Sequence, residues 1–196
     1  MQLPAAVVRG QPRGVSTPTI EDFEAGLEHV LAAPADRGTL ELIVARPANF
    51  ERETLEQGYL DLEVGLVGDN WATRGCRLME DGSSDPLRQV TVMNARAAQL
   101  LCGDDWGLAG DQLYVDLDIS HENLPAGSRL AIGDAVIEIT EPTHTGCAKF
   151  STRFGADALH MVGTPVGKQL RLRGVNARVI VPGTVRRGDT VARLSS

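Results

Sequence analysis

The chain has 196 residues, 42% of them hydrophobic, which is enough for one domain with a full core and excludes long disordered stretches. Its net charge of −7 argues against general nucleic-acid binding. No window approaches the roughly 18 apolar residues that span a bilayer, and the opening MQLPAAVVRG lacks the features of a secretory leader. Three cysteines without a CxxC pair indicate a reducing compartment. We therefore expect a soluble, cytoplasmic protein that binds neither nucleic acid nor membrane.

The first predicted element is an amphipathic helix in TPTIEDFEAGLEHVLAA (17–33). Apolar residues recur at helical spacing in Ile20, Phe23, Leu27, Val30 and Leu31. Thr17 or Thr19 can cap the start, and Pro34 marks the end. We expect a packing element, and residues 1–39 are predicted to form a helical extension.

From Thr39 the apolar period changes to two, which predicts strands. TLELIVAR (39–46) places Leu40, Leu42 and Val44 on one face. LYVDLDI (113–119) alternates in the same way. Between them, RQVTVM runs into NARAAQLLCG, where Asn94 can cap a short helix and Gly103 can end it. Cys102 is expected to be a small apolar residue of that helix.

The last third predicts strands in RLAI, DAVIEIT, KQLRLRG, VNARVIVPG and DTVARL, separated by Gly-Asp and Pro-Gly turns. One short helix is predicted in FGADALHMVGTP, ending at Gly163. No parallel βαβ alternation and no phosphate-loop motif is visible. GLVGDNW (65–71) predicts a turn with positive φ at Gly65 or Gly68. These short strands predict a β-barrel or sandwich decorated by helices.

A single cysteine, Cys147, lies in the polar loop PTHTGCAK that follows a predicted strand. Lys149 and Arg153 follow it and bring positive charge, which favours the thiolate. A thiolate in such a loop can attack as a nucleophile, carry sulfur as a persulfide, or ligate a thiophilic metal.

Two other chemistries are open to this loop. A Cys-His hydrolase would take its base from His144, His121 or His160, none of which carries a distinguishing signature. A zinc site would use His144 and Cys147, an HxxC pair without a second ligand pair.

Residues 129–196 carry 10 basic and five acidic side chains, a net of +5. That excess either reflects ordinary surface variation or faces an anion such as a phosphate.

Four segments, in order, resemble the MOSC domain family, named for the C-terminal domain of molybdenum cofactor sulfurases. They are GLVGDNW (65–71), RQVTVMNARAAQLL (88–101), the stretch 116–155, and GVNARVIVPGTVRRGDTV (174–191). The resemblance implies that residues 40–196 form a predominantly antiparallel β-barrel decorated by short helices, within a single globular unit.

In this family Cys147 matches the signature cysteine. In relatives that reduce N-hydroxylated compounds, such as the mitochondrial amidoxime-reducing component, that cysteine ligates molybdenum in a pyranopterin cofactor. In sulfurase-linked relatives the domain receives or presents sulfur. The resemblance thus implies molybdenum cofactor binding or a persulfide on Cys147, supplied by a donor such as a cysteine desulfurase. A reductase would also need a separate electron-transfer partner, because this chain has no flavin, haem or iron–sulfur motif.

The resemblance also suggests site residues. The expected catalytic residues are Cys147, Lys149 and His144, and those expected to bind cofactor are Asn123, Arg153, Arg178 and Arg74. Asp69 is expected to be structural. Residues 1–39 hold one helix instead of the extra domain that contacts the cofactor phosphate in amidoxime-reducing relatives, and pyridoxal phosphate is not expected. The alternative is a non-catalytic barrel that binds an anionic small molecule or a protein partner, with Cys147 kept for packing.

Overall fold

The computed structural model describes residues 18–195. Its α-helices are α1 (Ile20–Leu31), α2 (Trp71–Arg74), α3 (Ala95–Cys102), α4 (Ala148–Gly163) and α5 (Pro165–Gln169). Short 3₁₀ helices span Pro86–Arg88 and Gly103–Leu108. The strands are β1 (Arg37–Ala45), β2 (Glu53–Leu55), β3 (Gln57–Asp61), β4 (Gly65–Leu66), β5 (Val90–Asn94), β6 (Leu113–Asp116), β7 (Arg129–Ile132), β8 (Ala135–Ile139), β9 (Val175–Val181), β10 (Gly183–Arg186) and β11 (Thr190–Arg193).

Seven of the described strands close into a barrel in the order β11-β7-β8-β9-β5-β6-β1, and pairing of β1 with β11 completes the ring. The predicted mainly β barrel is confirmed. One pair departs from the expected antiparallel pattern, because β5 and β6 are parallel. Parallel neighbours need a long crossover, and α3 with the second 3₁₀ helix supplies it. The expectation that no βαβ unit is present was therefore wrong at this one place.

Two apolar clusters hold the fold together. The first fills the barrel with side chains from its strands, among them the fully buried Val92, Val115 and Ile137. The second lies between the outer barrel wall and helices α1, α3 and α4, and includes Phe23, Tyr114 and Phe150. Each fully buried aliphatic or aromatic side chain contributes about 1.5–3 kcal/mol. The site described below lies along the second cluster.

Strand β1 changes which face it presents partway along its length. Leu40 and Ile43 pack inside the barrel, whereas Leu42 and Val44 pack under the helices. The pairing register with β6 shifts between Leu40 and Leu42. A β-bulge adds one residue and reverses the alternation beyond it. The prediction that Leu40, Leu42 and Val44 share one face was therefore wrong.

The N-terminal helix follows its predicted pattern. Thr19 caps α1 by accepting a hydrogen bond from the Asp22 backbone amide, and the Asp22 carboxylate accepts one from the Thr19 backbone amide. Thr17, the other candidate cap, lies outside the described residues. Phe23 and Val30 are buried, so α1 packs onto the helical layer. The predicted helix after β5 is also confirmed, with Asn94 as its cap and Gly103 at its end.

Segment 168–174, predicted as a strand, is instead the end of α5 and a turn. Pro165 starts that helix, and Thr164 caps it by accepting from the Gly167 backbone. The helix before it is longer than predicted: α4 ends at Gly163 as expected but begins directly after Cys147, with a kink at Gly155. None of the helices in residues 18–195 is both long and apolar enough to cross a membrane.

Candidate functional site

Cys147 occupies the junction between the loop after β8 and helix α4. Its backbone oxygen accepts hydrogen bonds from the Phe150 and Ser151 amides at 2.9 and 3.1 Å. Phe150 is buried and packs against Phe154, with ring centroids 5.0 Å apart. The backbone of Cys147 is thus held by the helix, while the residue itself is exposed. This exposure opposes the alternative in which Cys147 serves only for packing.

Cys102 is chemically different from Cys147. It is buried in the helical layer. Burial raises the pKa of its thiol well above the ordinary value. A neutral buried thiol behaves as a small apolar group, as predicted for this residue.

Lys149 and Arg153 lie near the start of α4, and each contacts residues of another segment. Lys149 Nζ lies 4.7 Å from the centre of the Phe50 ring and 3.4 Å from Asn49 Oδ1. Arg153 Nη1 donates to the Leu108 carbonyl at 2.9 Å. Arg153 follows Cys147 by six residues, which is about 9 Å along a helix axis. Both cations therefore lie near the start of α4. The hydrogen bond from Arg153 to Leu108 also joins α4 to the segment before β6.

Four arginines form what we call the arginine cluster: Arg46, Arg52, Arg74 and Arg153. Arg52 is half-buried. Burial, followed by the charges of Arg153 and Arg46, lowers its pKa to about 10. Arg74 is exposed, and desolvation by neighbouring groups, followed by the charge of Arg46, lowers its pKa. Arg46 and Arg153 donate to carbonyls two residues apart, those of Gly110 and Leu108, and neighbouring guanidinium groups of this kind favour an anion.

The arginine cluster is anchored by a buried carboxylate. Asp69 is fully buried and accepts from Arg46 Nε at 2.7 Å and Nη2 at 3.0 Å, and also from the Trp71 backbone at 2.9 Å. Arg46 Nη1 donates to the Gly110 carbonyl at 2.9 Å. In the adjoining turn Gly65 and Gly68 have φ of 72° and 92°, as predicted. Asp69 thus has the expected structural role.

A second buried ion pair, between Asp111 and Arg173, lies next to the arginine cluster: a Cβ at Gly110 would meet Nη2 of both Arg52 and Arg173. Arg173 Nη1 bonds to Asp111 Oδ2, and its Nη2 donates to the Ala109 carbonyl at 3.0 Å. His144 Nδ1 lies 3.2 Å from Asp111 Oδ1 but is not aligned to hydrogen-bond with it. The Arg173 guanidinium also lies 5.1 Å from the centre of the Phe150 ring. The loop that carries Cys147 is therefore connected to the base of β6.

Burial and charge fix the protonation states of this trio. Burial raises the pKa of Asp111, but the charge of Arg173 outweighs it and leaves that pKa well below the usual range. Burial and the charge of Arg173 lower the pKa of His144 despite the opposing effect of Asp111. At neutral pH the trio is a carboxylate, a guanidinium and a neutral imidazole.

A cavity of about 340 Å³ lies behind the loop that precedes Cys147. Its walls are loop residues 140–146, the end of α4 near Val162 and Gly163, and the segment 171–176. Small-molecule sites span about 300–1,000 Å³, so this cavity is at the small end of that range. Gly146 is the last loop residue in the wall, and Cys147 follows just outside it.

Several predicted site residues have partners elsewhere. Arg178 bonds Glu138 at 2.6 Å on the outside of β8 and β9. Asn123 donates its amide to the Ala35 and Asp118 carbonyls, both at 2.7 Å. His121 Nδ1 lies 3.0 Å from Arg171 Nη2, and His160 is exposed on α4. The structure thus places Cys147, Lys149 and Arg153 together at the start of α4. Arg74 lies on α2, His144 lies against Asp111, and Arg178 and Asn123 are engaged in other contacts.

Four residues of the site region were not predicted from the sequence: Arg46, Arg52, Asp111 and Arg173. The one available signal was Asp111, a charged residue two positions before the buried strand LYVD. Its partner Arg173 is 62 positions away, so the pair becomes visible only when β5, β6 and β9 are placed side by side.

The described strands form a closed β-barrel, and the exposed Cys147 lies outside it at the start of helix α4. The chain belongs to the MOSC domain family, whose model matches residues 90–192. No group of three or more His, Cys, Asp or Glu side chains within residues 18–195 is arranged to hold a metal ion.

Solved structures share the fold at low sequence identity. YuaD from Bacillus subtilis matches with a TM-score of 0.56 and 16% identity, over 79% of this chain and 94% of that one. YiiM from Escherichia coli matches with a TM-score of 0.53 and 18% identity, over 81% and 70% of the two chains. At these identities the likeness establishes the fold. A search of curated proteins found no match.

Proposed function

We propose that this MOSC protein binds a molybdenum cofactor, with Cys147 as the sulfur ligand and the arginine cluster facing the anionic part of the cofactor. The observation that carries the proposal is the exposed thiol at the head of α4, with Arg153 on the same helix and bonded to the Leu108 carbonyl, two residues from the Gly110 carbonyl that Arg46 contacts. A thiolate is a soft ligand suited to such a metal.

The residues present fit a metal that arrives with its own organic ligands. No cluster in residues 18–195 offers three side-chain donors, so a bare ion held by protein groups alone does not match this site. A single cysteine together with half-buried guanidinium groups matches a cofactor that needs one protein sulfur and neutralisation of its phosphate. Arg52 has a buried Nε without a partner among the described residues, which leaves a donor free for an oxyanion.

Each residue has a defined task in this proposal. Cys147 presents its sulfur, while the buried Phe150 fixes the helix that carries it. Arg52 and Arg153 bind oxyanions, and Asp69 holds Arg46 in place behind them. When bound, the cofactor supplies two-electron redox chemistry, for which electrons come from a separate partner protein. Lys149, held over Phe50, adds positive charge at the mouth of the site.

The accessibility of Cys147 favours a second candidate, a sulfur carrier. A persulfide forms when the Cys147 thiolate attacks the outer sulfur of a donor persulfide, such as that on a cysteine desulfurase, and the donor thiolate leaves. An exposed cysteine allows a protein donor to approach. In this case the arginine cluster binds an anionic acceptor of the sulfur.

The experiment compares wild type with Cys147→Ala, both purified from a host that makes the cofactor. Molybdenum is measured by mass spectrometry and pterin by fluorescence after oxidation, and Cys76→Ala serves as the control because Cys76 is a half-buried cysteine of another segment. We expect molybdenum and pterin in wild type and in the control, and loss of molybdenum from Cys147→Ala.

Two results would decide against the cofactor. Equal molybdenum in Cys147→Ala would exclude Cys147 as the ligand, and a wild type without molybdenum would exclude the cofactor. The sulfur-carrier candidate then predicts a mass gain of one sulfur atom on the Cys147 peptide after incubation with a cysteine desulfurase and cysteine. An accessible Cys147 that gains no sulfur would exclude this candidate as well.

A further inference from the structure

The cavity behind the Cys147 loop is lined by a buried donor without a partner among the described residues. Arg173 and His144 both line it. Arg173 Nε is buried and has no hydrogen-bond partner within residues 18–195, whereas His144 Nδ1 faces Asp111 Oδ1 at 3.2 Å. The Arg173 side chain is 7% exposed. An unpaired buried donor costs about 1–3 kcal/mol, so a ligand that pairs with Arg173 Nε would stabilise the fold.

The charge of the lining selects an anion. Arg171 and Lys168 bring positive charge to the wall, and Glu141 is the acidic side chain that lines it. Glu141 is exposed, so water screens its charge. Arg173 shares its charge with Asp111, which leaves the lining with a net positive charge.

The remaining wall is apolar and fixed in position. Leu159, Val162 and Val175 line it. A Cβ at Gly146 would overlap the Leu159 and Val162 side chains, so the loop and α4 are in close contact. Asn176 donates to the Pro142 carbonyl at 2.8 Å and holds the other end of the loop. The cavity is therefore preformed, which reduces the entropic cost of binding.

We propose that this cavity binds a small organic molecule with one oxyanion, a carboxylate or a phosphate, attached to a compact apolar body. Lys168 and Arg171 supply the positive charge that attracts the oxyanion, Arg173 Nε is the unpaired donor, and the apolar body packs on Leu159 and Val162. This site is separate from the proposed cofactor site, because Cys147 lies outside its wall. A ligand here would contact the same loop that presents Cys147.

The probes are benzoate and phenyl phosphate, with benzyl alcohol as the neutral control. Each is titrated into the full chain at millimolar concentration, and binding is followed by amide shifts in ¹H–¹⁵N spectra. We expect both anions to bind and to move the amides of Thr145, Gly146 and Gly163, while benzyl alcohol leaves them in place. Stronger binding of one anion identifies the oxyanion that the site prefers.

Two variants test the location without disturbing the buried ion pair. Arg171→Gln removes one of the positive charges that attract the oxyanion, which should weaken binding by about tenfold. Gly163→Leu fills the cavity, and its Cβ would meet open space without positive φ, so this variant should fold and lose binding. Arg187→Gln is the matched control, an exposed arginine paired with Glu56 outside the cavity.

Failure of the two anions to bind wild type, or undiminished binding in Gly163→Leu and Arg171→Gln, would overturn the proposal. Cys147→Ala separates it from the cofactor proposal. That variant should bind benzoate and phenyl phosphate as wild type does, whatever its molybdenum content.

Discussion

Replacing Asp111 with asparagine is expected to lower the free energy of unfolding by about 3–5 kcal/mol, the usual cost of leaving one partner of a buried ion pair alone. Asp111 is fully buried and bonds Arg173, which is itself buried. Asparagine keeps the shape but removes the charge that Arg173 requires. Urea denaturation of Asp111→Asn beside wild type measures the loss.

The control is Asp157→Asn, an exposed aspartate on α4. Its substitution should change stability by no more than about 0.5 kcal/mol, as is usual for surface positions. A double variant, Asp111→Leu with Arg173→Met, removes both charges and should recover much of the loss. If Asp111→Asn matched the control, the buried pair would have no role in stability.

The ion pair between Asp111 and Arg173 predicts that the free energy of unfolding depends on pH. The pKa of Asp111 is lowered in the folded protein, so its contribution is fully present above the ordinary value of about 3.9 and is lost as pH falls through the folded pKa. Wild type should therefore lose stability steeply in acid below about pH 4. Asp111→Asn should lose this part of the acid transition.

The second large effect is expected at Asp69. Asp69→Ala removes the acceptor of two guanidinium bonds from Arg46 and of the Trp71 amide. It leaves Arg46, which is 6% exposed, as an uncompensated buried charge, at a cost of about 3–5 kcal/mol. Thermal or urea unfolding checks this value.

Asp61→Ala is the matched control in the neighbouring hairpin. Asp61 accepts from the Glu63 and Val64 amides, which are neutral donors near the surface, so its loss should cost about 1 kcal/mol. Equal losses for Asp69→Ala and Asp61→Ala would contradict the anchoring role of Asp69. Asp69→Ala that remains folded should also bind cofactor more weakly, because Arg46 then lacks its support.

The parts of the fold that follow local rules were predictable from the sequence. Period-two alternation in LYVDLDI and caps such as Asn94 depend on neighbouring residues alone. The β1 bulge at Leu40 and Leu42 depends on pairing with β6. The segment KQLRLRG alternates by coincidence, and the Thr164-Pro165 start made it the end of a helix and a turn. Neither the bulge in β1 nor the helix end in KQLRLRG could be inferred from the alternation of apolar residues.

The residues of the candidate site also fall into two groups, those that are close in sequence and those that only the fold brings together. Cys147, Lys149 and Arg153 are neighbours in sequence, so their proximity was predictable. Arg46 and Asp69 are 23 positions apart, and Asp111 and Arg173 are 62 apart. Such pairs are created by the closure of the barrel. Arg178 illustrates the converse, because its charge resembled an anion site but pairs with Glu138 on the next strand.

The most direct test of the central claim, that the Cys147 sulfur is the cofactor ligand, is alkylation of the native protein with iodoacetamide, read by peptide mass spectrometry. In protein without cofactor we expect modification of Cys147 and protection of the buried Cys102. In protein loaded with molybdenum cofactor, Cys147 should become protected because its sulfur is engaged. Equal modification of Cys147 in the loaded and unloaded protein would contradict the account.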